Sequence, residues 1–281
     1  TDGHPVLTSA PPPQDELHIL TGVIVEAIVC GKLQMVNNSQ TVIAPYDTPL
    51  DTVAVNEIRN IIAEETSARI DSMPLVEVPA HNPNETVTLF YSGDGGWRDL
   101  DRAVAGEMAK RGYPVVGVDM LRYFWSATTP EKAADDLAAI MAHYRAAWKA
   151  KNFVLAGYSF GADLLPAVYN RLPAQDQKSV ALLVLLALGD TADFEIHVSG
   201  WIGKDDSGVP ILPELRRIQG NKILCVYGQE EKDETACTTL STPDVKRMEL
   251  PGGHHFDYDY PKLAARLVEI YRQAGLKGSD K

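Results

Sequence analysis

A serine framed by glycines, Gly157-Tyr158-Ser159-Phe160-Gly161, follows the apolar run NFVLA and precedes a helical pattern, ADLLPAVYNRL. A serine at such a strand-to-helix turn projects its hydroxyl above a sheet edge, and the turn is so tight that its flanking residues must be small. The hydroxyl then lies at a helix N-terminus, where a developing oxyanion is favoured. It becomes a nucleophile once a base takes its proton. With the order serine, acid, histidine along the chain, the base belongs at Pro251-Gly252-Gly253-His254-His255-Phe256. Two adjacent histidines cannot both point into one site. His254, directly after the Gly-Gly turn, is the expected base, and His255 is expected to support it from behind or to pack in the core.

The acid belongs on the loop after the strand-like KILCVYG, which reads Gln229-Glu230-Glu231-Lys232-Asp233-Glu234. Asp233 is the expected partner, since a short carboxylate fixes an imidazole with least freedom; Glu231 comes next. A second loop, after VALLVLLAL, offers Asp190 and Asp193. An oxyanion needs two backbone N–H donors, one just after the nucleophile and one from the loop after the first core strand. Phe160 supplies the first. Asp94, in Ser92-Gly93-Asp94-Gly95-Gly96-Trp97, is the expected second, and the glycines permit close backbone approach. That loop lacks the lysine and spacing of a nucleotide-binding loop, so no nucleotide is expected.

The elements that must position these residues follow a regular pattern. From Leu75 onward, short β-rich runs (TVTLFYS, PVVGVD, NFVLAGYS, VALLVLLAL, KILCVYG, KRMELPG) alternate with helical segments, the last near Tyr260–Gln273. Apolar strands between amphipathic helices predict a parallel sheet covered on both faces. Its ligand site lies along the strands' C-terminal rim. The fold class is therefore α/β: an α/β-hydrolase-like parallel sheet flanked by helices, with a small N-terminal accessory region. Residues 1–72 form that region, a Pro-rich lead-in followed by two strands within His18–Ala44 and a helix near Thr52–Ile70. Residues 73–281 form the catalytic domain.

Composition excludes several classes. A net charge of −12 and a pI near 5.0 argue against a nucleic-acid partner, which needs clustered Lys and Arg. No run reaches the ~18 apolar residues of a membrane span. The chain opens at Thr1, so a processed or trimmed start is expected, and the lack of a leader says nothing of compartment. No cysteine or histidine array has metal-ligand spacing, and neither metal nor cofactor is expected. Cys225 and Cys237 bracket the acid loop: a disulfide would pin it, and two buried thiols are the alternative.

SGDGGWRDLD, VVGVDMLRYFW, GYSFGADLLPAVYNRLP, ADFEIHVSGW and LPGGHHFDYDY, in this order, resemble the bacterial VirJ/AcvB virulence-protein family from about Pro74 onward. Residues 1–72 resemble the end of the extra N-terminal part of AcvB-like members. The resemblance implies a periplasmic hydrolase of aminoacylated phosphatidylglycerol, chiefly the lysyl form, meeting its headgroup at the membrane surface. It also implies secretion-system proteins as partners. For a cationic acyl group, Asp193 and Glu195 are candidate contacts, and Trp125, in Arg122-Tyr123-Phe124-Trp125, is a candidate lip for lipid. A generic carboxylesterase or thioesterase, and a non-catalytic binding module on the same fold, are the competing readings.

Overall fold

The computed structural model of the 281-residue chain describes residues 18–21, 41–44, 49–195 and 208–276. Two compact units divide the chain, residues 1–69 and 70–281. In the first, β1 (His18–Thr21) and β2 (Thr41–Ala44) pair antiparallel, with residues between them outside the described part. Helix α1 (Leu50–Ser72) follows.

The second unit is built on a seven-stranded sheet in the order β11-β10-β7-β6-β4-β5-β3. Its strands are β3 (Leu75–Val78), β4 (Thr86–Tyr91), β5 (Val115–Val118), β6 (Asn152–Tyr158), β7 (Val180–Leu186), β10 (Ile223–Gly228) and β11 (Lys246–Leu250). Six run parallel, but β3 pairs antiparallel with β5. The sheet is thus mostly parallel, with one reversed edge strand, for a simple reason. Residues 79–85 join β3 to β4 without a helix, and so short a connection cannot make the crossover of a dozen or more residues that parallel strands need.

Side chains alternate along each strand, so the sheet feeds two cores. On one face Val87, Leu89 and Tyr91 of β4 meet α4 (Pro130–Ala147) and α5 (Phe160–Arg171). On the other, Phe90 meets α2 (Asp99–Lys110) and α9 (Tyr260–Gln273). In α9, Tyr260, Leu263, Ala264, Leu267, Val268 and Tyr271 recur at helical spacing and are all buried. Helix starts are marked chemically: Thr129 caps α4 by accepting from the Lys132 N–H at 3.1 Å, ahead of Pro130.

The connections at the C-terminal rim carry short elements that the hydrophobic pattern does not announce. They are α3 (Met120–Tyr123) after β5, the antiparallel pair β8 (Thr191–Ala192) and β9 (Val209–Pro210) after β7, and α8 (Ala236–Thr239) after β10. Two further short helices, α6 (Ala174–Ser179) and α7 (Leu212–Leu215), lie in connections before β7 and β10. No helix among the described residues is long and apolar enough to cross a membrane.

Candidate active site

β6 sits mid-sheet and ends at Tyr158, and α5 begins at Phe160, leaving Ser159 alone to turn the chain. It does so at φ 52° and ψ −122°, a left-handed conformation that a non-glycine residue holds only under constraint. The constraint is visible on both sides. The Ser159 N–H donates to the Leu186 carbonyl at 2.8 Å, and its own carbonyl accepts from Ala162 and Asp163 at 2.7 and 3.0 Å. A Cβ at Gly157 would come within 2.5 Å of the Gly161 carbonyl oxygen, so the turn closes only with glycine there.

The His254 ring bridges the serine and a carboxylate. Its Nε2 is 2.8 Å from Ser159 Oγ and its Nδ1 is 2.6 Å from Glu231 Oε1. The base thus comes from the loop after β11 and the carboxylate from the loop after β10. These two loops are tied by a Glu230 N–H to Gly252 carbonyl bond at 3.1 Å. His255 points elsewhere. Its Nδ1 lies 2.9 Å from the Tyr158 hydroxyl, and the Tyr258 ring stacks on it at 5.1 Å. The Tyr158 hydroxyl also donates to the His254 carbonyl at 3.3 Å, so the residue before the serine braces the histidine loop.

The expected acid, Asp233, is not at the ring; Glu231 is. After Gly228 the chain turns through a short 3-10 segment, Gln229–Glu231, which carries Glu231 towards His254 and leaves Asp233 exposed two residues later. The longer glutamate side chain spans the gap that the turn creates. Cys225, inside β10, and Cys237, in α8, form a disulfide with Cα atoms 5.7 Å apart, closing the segment that holds Glu231.

Around the serine, the loop after β4 folds back with the Gly96 N–H donating to the Gly93 carbonyl at 3.0 Å. It passes beside the elbow, since a Cβ at Gly93 would lie 3.8 Å from Ser159 Cβ. Among the described residues no acceptor meets the N–H of Asp94 or of Phe160. Ser92, buried, anchors this loop by accepting from the Met120 N–H at 3.0 Å and donating to the Gly93 carbonyl at 3.1 Å. The Phe160 side chain packs edge-on against Phe124 at 5.5 Å, and Phe124 in turn against Phe194 at 6.1 Å.

Among the described residues of the second unit, Trp125, Val209 and Tyr258 are the large apolar side chains exposed, by 66%, 59% and 69%. All three stand on connections leaving the C-terminal ends of β5, β7 and β11, the rim that also bears Ser159. Asp193 and Glu195 lie after β8, where Asp193 Oδ1 accepts from the Glu195 N–H at 3.2 Å. Asp163 escaped the sequence reading. One turn past Ser159 on α5, its Oδ1 accepts from the Gly189 N–H at 2.8 Å. Burial, with the charges of Asp190 and Asp94, pushes its carboxyl up to about 7. Its spacing of four residues from Ser159 was the available signal.

Among solved structures the fold has wide likeness. Proline iminopeptidase from Mycobacterium smegmatis aligns with a TM-score of 0.52 at 11% identity, over 72% of this chain and 95% of its own. MenH from S. aureus aligns with a TM-score of 0.52 at 13% identity, over 73% and 99%. Est1E from Butyrivibrio proteoclasticus, with ferulic acid bound, gives 0.51 at 13% identity, over 72% and 95%. At such identities the likeness speaks to the fold, which is that of the α/β hydrolases. No curated protein matches the chain. A family model described as bacterial virulence protein (VirJ) matches residues 85–275, more than half of the chain.

Proposed function

We propose that this chain, which belongs to the bacterial virulence protein (VirJ) family, is a serine ester hydrolase that cleaves the aminoacyl ester of lysyl-phosphatidylglycerol. One observation carries the hydrolase reading: a strained elbow serine in line with His254 and Glu231 at 2.8 and 2.6 Å. Ser159 Oγ attacks the ester carbonyl carbon as His254 Nε2 takes its proton. Glu231 holds the ring with Nδ1 protonated and stabilises the imidazolium. The N–H groups of Asp94 and Phe160 receive the oxyanion. The ester C–O bond then breaks, and the glycerol oxygen leaves with the proton from His254. Water repeats the sequence on the acyl-enzyme, freeing the amino acid and restoring the serine.

The aminoacyl-lipid substrate is supported by the family, by the exposed apolar residues Trp125, Val209 and Tyr258 on connections along the strand-end rim that bears the serine, and by the carboxylates on the same rim. The disulfide favours an oxidising compartment such as the periplasm. The test is incubation of lysyl-phosphatidylglycerol vesicles with wild type and Ser159→Ala, followed by thin-layer chromatography and mass detection of released lysine. Phosphatidylglycerol and free lysine are expected from wild type alone. Diacylglycerol, phosphatidic acid or lysolipid with lysine still attached would place the cut at another bond. A fluorophosphonate that fails to label Ser159 would favour a non-catalytic module.

A further inference from the structure

Asp163 has a position and an environment that the reaction just described does not use. It lies four residues beyond Ser159, about 6 Å along the axis of α5, and its Oδ1 takes the Gly189 N–H. Among the described residues its Oδ2 accepts no hydrogen bond and meets no cation. The charges that reach it are Asp190 and Asp94, both negative, and Asp94 belongs to the loop that flanks the serine. Asp163 thus has two negative neighbours and, among the described residues, no positive partner.

Asp163 also lines a cavity of about 210 Å³. The cavity walls are otherwise mainly apolar, with Pro130, Ala192, Phe194 and Ile211 among them. Arg171 and Glu214 also line it, and they are committed to each other: Arg171 Nη1 meets Glu214 Oε1 at 3.0 Å, while Arg171 Nε meets Glu131 at 2.7 Å. The arginine is two turns away along the same helix and does not serve Asp163. A half-buried carboxylate beside an apolar cavity is costly in its charged form unless it takes a proton or a cation joins it. Here no side chain among the described residues supplies one.

We infer that Asp163 is the anchor for the ammonium group of the acyl substrate, so that the site selects esters whose acyl carbon carries a free amine on the adjacent carbon. This rests on the hydrolase reading above and names which carboxylate, on α5 itself rather than on the 193–195 loop, sets the acyl preference. The geometry suits it, because that amine is two bonds from the carbon that Ser159 attacks, and Asp163 is one turn from Ser159. The α-ammonium is common to lysyl and alanyl esters, so this contact selects aminoacyl over plain acyl groups and not one amino acid over another. An amide at this position keeps the acceptor for Gly189 and removes only the charge, which makes Asp163→Asn the informative change.

The experiment compares L-alanine ethyl ester with N-acetyl-L-alanine ethyl ester, identical but for the charge, on wild type and Asp163→Asn. The expected result is a loss of about 10- to 100-fold in kcat/KM on the free-amine ester, mainly through KM, with the N-acetyl ester unchanged. Equal losses on both esters, or none, would overturn the inference and leave Asp163 a brace for the Gly189 loop. A binding arm separates this from failure of the hydrolase reading. L-lysinamide, which cannot be turned over as an ester, is titrated by NMR into Ser159→Ala with and without Asp163→Asn. Binding that weakens about tenfold or more with Asp163→Asn supports the anchor even if no ester is hydrolysed. Binding indifferent to Asp163 in a protein that does hydrolyse esters rejects it.

Discussion

Glu231 Oε1 stands 2.6 Å from His254 Nδ1, although the two residues come from loops on different strands and lie 23 positions apart in the chain. The contact depends on a turn of three residues after β10, and it decides which of the loop's carboxylates can orient the imidazole. Asp233, shorter and exposed, is bypassed.

Exchange of the two acids is accordingly diagnostic. Glu231→Gln should reduce kcat on a simple ester by about 10²- to 10⁴-fold, because the amide favours the wrong ring tautomer. Asp233→Asn should stay within about twofold of wild type, as a change to an exposed loop charge. Steady-state kinetics on p-nitrophenyl acetate reads both, and the reverse ranking would restore Asp233.

Ser159→Ala is expected to lose about 10³-fold or more, with His254→Ala matching it and the double mutant no worse. His255→Ala, which removes only a partner of Tyr158 and Tyr258, should lose much less. Circular dichroism must show the native fold in each. A folded Ser159→Ala protein with near-normal hydrolysis would end the serine mechanism.

The Cys225–Cys237 cross-link should contribute about 3 kcal/mol by limiting the unfolded chain. Cys225→Ala with Cys237→Ala should lower the thermal midpoint and also slow turnover, since the segment that presents Glu231 is no longer tied at both ends. Thermal unfolding and kinetics of wild type with and without reductant test this. Equal activity in the reduced protein would show that the turn at Gln229–Glu231 holds itself.

Asp101 gives a pH signature separate from activity. It is buried at the start of α2, where Oδ2 accepts from the Arg98 N–H at 3.0 Å and Oδ1 has no partner, and burial pushes its carboxyl up to about 7. A carboxyl whose folded pKa is raised favours the protein while protonated. That contribution is full below the ordinary aspartate value of about 3.8 and is lost as pH rises through about 7. Asp101→Asn should therefore raise the thermal midpoint at pH 8, by about 5 °C, by less at pH 5, and hardly at all below about pH 3.8. Equal shifts at all three pH values would refute the assignment.

Much of this architecture is legible in the amino-acid sequence, for physical reasons. The inner strands β5, β7 and β10 are apolar because both sheet faces are covered there, and the GYSFG turn is legible because only glycine fits two residues before and two residues after Ser159. The histidine is legible because a strand and a Gly-Gly turn precede it. Glu231 is not, because the choice among Glu230, Glu231, Asp233 and Glu234 depends on a short turn with no periodicity to betray it. The reversed direction of β3 follows from a connection length that only strand boundaries reveal. Asp163 hides inside an amphipathic helix, where a lone acid resembles a solvated charge until the Gly189 loop is seen to cover it.

The strand order has a temporal consequence. The serine leaves β6, the glutamate leaves β10 and the histidine leaves β11, and these occupy one half of the sheet with β7 between β6 and β10. Among the described residues β11 is the last strand in chain order and pairs with β10 alone. A partly synthesised or partly threaded polypeptide can thus complete the elbow and its helix while still lacking a base. Without β11 in place the His254 loop has no strand to leave from, and the serine has no base.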